Sequence, residues 1–167
     1  MDPILLREVL AQWASGVVVV ATVTDAGRRH GMTASSFSAV ALDPPLISVC
    51  LTTTSTTHRL IERSEIFTVS ILSHEHEPIG RRFAGGKPAA VDHFGPERWD
   101  AAKTGAPVLA DAAGWLDCRV AARHEAGDHT IVLGEVLAAG VPRRTAPLIY
   151  HARAFRELRD AARGTVP

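Results

Sequence analysis

The sequence predicts a mostly β protein with short helices, arranged as a closed antiparallel barrel. Two observations carry that expectation. Short apolar and β-branched runs recur along the chain, each bounded by Gly, Pro or Asp turns. The helical patterns between them are brief, so the β–α alternation of a doubly wound sheet is missing. No GxGxxG or Walker loop occurs either, so a nucleotide, if bound, is not held by a Rossmann or P-loop device.

In order, Asp2-Pro3 gives an acidic cap and a proline at a first helical position. Leu5, Leu6, Val9, Leu10 and Trp13 then recur at helical spacing on one apolar face, and Ser15-Gly16 ends that helix. Gly16 to Thr24 is almost continuously apolar and β-branched, the pattern of a strand buried on both faces. After the turn Asp25-Ala26-Gly27, His30 to Ser38 reads as a second strand, small and hydroxylated rather than greasy. Pro44-Pro45 imposes extended backbone before the strand Leu46 to Leu51. A short helix follows over Thr56 to Arg63, a strand over Ile66 to Leu72, and a short helix over Pro78 to Ala84 that ends at Gly85-Gly86. Lys87 to Gly105, rich in Pro, Gly and charge, predicts a loop with one helical turn near Trp99. Gly114 to Glu125 and Asp128 to Ala139 form a long hairpin, Ile149-Tyr150 a last short strand, and Phe155 to Arg163 a terminal helix. No repeat, linker or low-complexity tract divides residues 1–167, so one domain is expected.

Composition removes several classes of function. Eighteen basic and eighteen acidic residues cancel, which leaves no charged patch for nucleic acid or for a membrane surface. Aromatic residues make up only 5% of the chain, too few for base-stacking platforms. Asp2, Arg7 and Glu8 argue against a secretory signal, and no apolar run approaches a membrane span. Cys50 and Cys118 form no CxxC pair and read as reduced thiols of a cytoplasmic protein. A 46% hydrophobic chain of zero net charge suggests an oligomeric interface, and the second face of Val17 to Val23 suggests where a partner covers it.

Three segments have the residue types for chemistry. In "GMTASSFSAV" (Gly31 to Val40), strand alternation sends Thr33, Ser35 and Phe37 one way and Ala34, Ser36 and Ser38 the other. Small side chains there let a flat ligand approach the backbone, although an exposed serine-rich edge strand has the same composition. In "TTTSTTHRLIERS", six hydroxyl residues from Thr52 to Thr57 lead into a helix, more than a cap requires. Hydroxyls and free amides at a helix start make a phosphate site, to which Arg59 or Arg82 can add charge. In "EAGDHTIVLGEV", His129 stands where a strand leaves the turn Ala126-Gly127-Asp128, either as a working residue or as the polar end of a hairpin. A catalytic triad through Asp128 is not expected, because neighbouring strand residues face opposite sides. "SHEHEP", with His74 and His76, has weak metal-ligand spacing and reads as the solvated start of a helix, so no metal is expected. His30, His93 and His124 fit no partner pattern.

Together the strand Gly16 to Thr24, "GMTASSFSAVALDPPLISVCL", "FTVSIL", "RRFAG", "GDHTIVLGEV" and "PLIY", in that order, resemble the short-chain flavin reductases. These are the reductase components of two-component flavin-dependent monooxygenases, and the resemblance covers nearly the whole chain. It implies an FMN-binding split antiparallel β-barrel, a homodimer, and reduction of FMN or FAD by NADH or NADPH. It also implies delivery of the reduced flavin to a partner monooxygenase. By the same resemblance, Thr33, Ala34, Ser35, Ser36 and Phe37 edge the flavin, and Cys50, Leu51 and Thr52 line the next strand. Ser55, Thr56 and Thr57 hold the phosphate, and Arg82 with Phe83 closes that side. His129 and Tyr150 meet the nicotinamide, and His129 is the expected catalytic residue. After "PLIY" many relatives show Tyr-Arg-Gly, whereas this chain has His151-Ala152-Arg153. Two other readings share the resemblance: a flavin-binding split barrel without turnover, and an oxidase of the pyridoxamine phosphate type.

Overall fold

A computed structural model describes residues 1–85 and 92–158. Asp2 caps the first helix by accepting a hydrogen bond from the Ile4 amide at 2.9 Å, and Pro3 opens α1 (Pro3–Ala11). There follow β1 (Ser15–Gly16), β2 (Val18–Val23), β3 (Arg29–Ala34), β4 (Ser38–Leu42) and β5 (Pro45–Thr52), then α2 (Thr56–Ser64) and β6 (Ile66–Ile71). A 3-10 turn (His74–His76) leads into α3 (Glu77–Phe83). The remainder is β7 (Trp99–Ala101), β8 (Pro107–Leu109), β9 (Gly114–Ala126), β10 (His129–Gly140), β11 (Leu148–His151) and β12 (Ala154–Glu157).

The protein is mostly β with short helices, and its strands pair antiparallel. One seven-stranded sheet runs β3-β2-β6-β9-β10-β5-β4, and a three-stranded sheet runs β1-β11-β12. β3 and β4 stand at the two ends of the large sheet, and the link between them is held by Ser36. Its hydroxyl donates to the Cys50 carbonyl at 2.9 Å and accepts from the Cys50 amide at 3.1 Å.

β2 is buried on both faces, as its composition predicts. Alternation sends Val18 and Val20 into a core with Val49, Leu51, Ile61, Phe67, Val69 and Val132. It sends Val19 and Ala21 to the other side, under Leu72, Ile79, Phe83, Phe94, Leu109 and Leu148. The chain therefore covers both faces itself, which corrects the expectation that the second face of this strand needs a partner. The apolar face of α1 is left open: no residue of that helix is buried, and Trp13 beyond it is 77% exposed.

Other expectations change in detail. α1 stops at Ala11, and Ser15-Gly16 instead pairs with Tyr150 and Ile149. The single strand expected over His30 to Ser38 is two strands, broken where Ser36 turns toward β5. Trp99 opens a strand rather than a helical turn, with its indole donating to the Phe94 carbonyl at 3.0 Å. Phe155 begins no helix. It lies in β12, which folds back on β11 through Ala152 and Arg153 at φ 49° and 60°. Neither turn residue is Gly or Asn, so the hairpin has no turn signal in its sequence. The end of the expected helix, from residue 159, lies outside the described residues. His76, expected in a solvated helix start, is buried, with Nδ1 3.2 Å from the Ser73 amide and Nε2 3.4 Å from Asp111.

Candidate functional site

α2 and α3 pack on opposite faces of the large sheet, and the start of α2 and the end of α3 meet at its β3 edge. Ser55 caps α2, its hydroxyl accepting from the His58 amide at 3.1 Å. Thr56 accepts from Arg59 at 3.3 Å, and the buried Thr57 hydroxyl lies 3.0 Å from Nε2 of His30. Across from them the Phe83 ring packs closely on β3 at Gly31, where an added Cβ would lie 3.0 Å from it. Thr33 fixes the same elements by donating to the Gly80 carbonyl at 2.6 Å.

Three recesses line up along this junction. The first is bounded by His30, Thr33, Ser55, Thr56, Thr57, Phe83, Gly85 and His93, among others. The second shares Thr33 and Gly85 with it and adds Val17, Ala34, Ser35, Ala84, Tyr150 and Phe155. The third shares Ala84, Tyr150 and Phe155 with the second and reaches Arg81 and Arg153. The result is a continuous trough along β3, with hydroxyls and a helix start at one end and two aromatic rings at the other. Those rings, Tyr150 and Phe155, meet edge to face at 5.8 Å. No acidic residue lines the trough among the described residues. The nearby carboxylates are held by arginines: Asp92 by Arg29, Glu77 by Arg81, and Glu97 by Arg82.

The structure brings together Thr33, Ala34, Ser35, Ser55, Thr56, Thr57, Phe83 and Tyr150 of the residues singled out in the sequence. It places the others differently. Ser36 braces β5, Phe37 packs on the core, and the Leu51 side chain is wholly buried in it. Arg82 is turned to Glu97 and does not line the trough. Thr52 and His129 sit opposite each other in the β5–β10 ladder, with Thr52 Oγ1 and His129 Nε2 3.2 Å apart. His129 also does not line the trough.

Asp128 does orient His129, contrary to the alternation argument: its carboxylate is 2.7 Å from Nδ1 of the ring. Asp128 belongs to the turn before β10, where strand alternation does not apply. The hydrogen bond from His129, and then the charge of that ring, hold the Asp128 carboxyl below the usual carboxylate range.

His30, His93 and Phe155 are trough residues that the sequence does not single out. His30 had a faint signal, since it directly precedes Gly31-Met32-Thr33 on the strand that forms the floor. His93 and Phe155 arrive through a loop and an unsignalled hairpin, and neither leaves a local pattern.

An antiparallel β protein with such a trough has the shape and the donor groups for a long, flat ligand with an anionic end. Residues 10–159 match the model of the flavin reductase like domain. The reductase subunit of a flavin-dependent monooxygenase from Rhodococcus jostii is 34% identical over 90% of this chain and 75% of its own length. The FMN reductase (NADH) of Bradyrhizobium diazoefficiens is 38% identical over 89% of this chain and 82% of its own. Among solved structures, the NADH:FAD oxidoreductase of Streptomyces globisporus, in complex with NAD and FAD fragments, superposes with a TM-score of 0.88 at 34% identity. That similarity covers 97% of this chain and 96% of the other. The chain is a member of the flavin reductase-like family.

Proposed function

We propose that the chain is an NAD(P)H:flavin oxidoreductase that reduces FMN or FAD and supplies the reduced flavin to a partner monooxygenase. The observation that carries this reading is the continuous trough, anion-suited at the α2 end and aromatic at the Tyr150 end. Its residues fit a flavin: the small side chains of Thr33, Ala34 and Ser35 leave the backbone approachable, and the recess beside α2 holds a buried ring nitrogen of His30 with no hydrogen-bond partner among the described residues. When bound, reduced nicotinamide supplies the hydride that flavin accepts, so the hard chemistry is the cofactors' own.

The chain's part is holding and aligning. Ser55, Thr56 and Thr57, with the first amides of α2, take the phosphate. Thr33, Ala34 and Ser35 border the ring and ribityl chain, and backbone amides there stabilise negative charge on the ring. Ser36 and Phe37 hold that segment in place, and Phe83 closes the side. Cys50 and Thr52 flank it on β5, where Leu51 contributes backbone only. Arg82 acts through its pair with Glu97, fixing the end of α3. His129, oriented by Asp128, positions the nicotinamide, and Tyr150 forms the wall at the far end.

The active form in this reading is a cytoplasmic homodimer of a single split-barrel domain, with the flavin near the subunit interface. The exposed apolar face of α1 supports the dimer, and it adjoins the Tyr150 hairpin because the Ala152 amide donates to the Ala11 carbonyl at 2.9 Å. No helix among the described residues is long and apolar enough to cross a membrane. Mixing purified protein with free FMN and NADH tests the activity. NADH consumption proportional to protein, with no third substrate, is expected. Flavin binding without NADH consumption indicates a carrier, and consumption that requires an amine indicates an oxidase.

A further inference from the structure

Beyond the trough, the outer side of α2 bears a groove of its own. It is lined by Thr56, Arg59, Leu60 and Arg63, and so shares Thr56 with the recess at the α2 end of the trough. The four residues stand at i, i+3, i+4 and i+7, which puts them in one stripe along the helix for about 10 Å. Thr57 and Ile61 belong to the other side of the helix, where both are buried. Arg59 donates to the Thr56 hydroxyl at 3.3 Å, so its guanidinium stands at the junction of groove and trough. Leu60 is half-buried between the two exposed arginines and forms an apolar floor.

Helix stability alone does not favour two cations in this stripe. Arg59 is the fourth residue of α2, near the positive end of the helix dipole, and Arg63 lies one turn on, where like charges repel. The other arginines around this end of the trough are engaged by carboxylates, Arg29 by Asp92 and Arg82 by Glu97. An anion seated between Arg59 and the start of α2 offsets both repulsions. The ligand's own shape says which anion. A flavin with its ring along β3 and its first phosphate at Ser55–Thr57 sends any further group past Thr56 and onto this stripe. FMN has no further group. FAD has a second phosphate, a ribose and an adenine, in that order.

We propose that the α2 groove is an adenylate subsite that selects FAD over FMN, with Arg59 on the second phosphate and Arg63 stacked on the adenine above Leu60. This rests on the flavin reading of the trough and on its first phosphate lying at Ser55–Thr57, and it names the flavin. A guanidinium suits both tasks: its fork donates two N–H groups to phosphate oxygens, and its plane stacks on an aromatic face. The groove lies at the helix surface, so it adds affinity without enclosing the dinucleotide, which must leave once reduced. Exposed guanidiniums are screened by salt, so the advantage of FAD over FMN falls as ionic strength rises.

The test is calorimetric titration of the full-length protein with riboflavin, FMN and FAD, for the wild type, Arg59→Ala, Arg63→Ala and the double variant. The three ligands have no, one and two phosphates, so the first step of the series reports Ser55–Thr57 and the second reports the groove. The wild type is expected to bind FAD about tenfold or more tighter than FMN, with added salt narrowing the gap. Each single variant should lose about threefold or more of that preference and the double variant nearly all of it, while FMN affinity moves less than about threefold. Because the wild-type series is itself decisive, a variant that fails to fold does not spoil the test. Equal binding of FMN and FAD, both tighter than riboflavin, overturns the groove and leaves the Ser55–Thr57 assignment standing. A preference for FAD that survives the double variant puts the adenylate elsewhere and overturns the proposal as well. Variants that alter the use of NADPH in place of FAD binding give the groove to the pyridine nucleotide, with the same result. Riboflavin bound as tightly as FMN overturns the phosphate placement on which the groove depends.

Discussion

At the scale of single residues, those proposed to hold flavin lie apart from the one proposed to align nicotinamide at β10. Thr56 lines the trough and is half-buried, so in the proposed assignment its loss removes one hydrogen bond to a charged phosphate. Such bonds contribute about 1.5–3 kcal/mol, so Thr56→Ala should weaken FMN binding about tenfold or more while changing riboflavin binding little. Equal losses for the two ligands would reassign the residue to capping α2. His129 lies outside the trough and is held between Asp128 and Thr52. His129→Ala should lower NADH-dependent reduction by about a hundredfold, the order of loss from mispositioning a reactant by about 1 Å. Flavin affinity should stay within a few-fold and the melting temperature should hardly move. Normal turnover in that variant would make His129 only the polar end of a hairpin. The hydroxyl cluster was legible in the sequence because six such residues exceed any capping need. The histidines were not, because His30 and His93 meet only after β3 and a distant loop fold against α2.

At the scale of elements, the hairpin of β9 and β10 was readable from its turn and its β-branched runs, but its irregularities were not. Register shifts fall between Leu133 and Gly134 and between Val136 and Ala138. Gly134 sits at the first of them, where a Cβ would lie 2.5 Å from the wholly buried Phe67 ring. The glycine is there to admit that ring, so Gly134→Ala should overpack the core and cost about 1–3 kcal/mol. Thermal unfolding should show a fall of several degrees, and an unchanged melting temperature would mean that the hairpin yields freely. The break after Ala34 was hidden for a related reason: it depends on Ser36 reaching Cys50 on a strand fourteen residues away. The β12 hairpin was hidden because Ala152 and Arg153 adopt left-handed backbone that their residue types rarely take.

At the scale of the whole molecule, the mostly β antiparallel class and the family were legible, since order and spacing of short motifs survive where single elements mislead. The expected closed barrel is not met, because β3 and β4 end the large sheet without pairing to each other. The place of the proposed interface was not legible, because β2 looks two-faced whether a partner or the chain itself covers it. In the proposed dimer the apolar α1 face is the contact, and light scattering at micromolar concentration should give twice the chain mass. Replacing Leu6 and Trp13 together by glutamate should yield monomers, while a wild-type monomer would remove the dimer from the account. The central claim is that the trough holds a flavin for reduction by nicotinamide. Its most direct measurement is the anaerobic loss of the oxidised flavin's visible absorbance on adding NADH to the protein with FMN or with riboflavin. The account predicts bleaching at a rate proportional to protein, with a lower KM for FMN than for riboflavin and similar rates at saturation. Absorbance unchanged by NADH or NADPH, with FMN demonstrably bound, would contradict it.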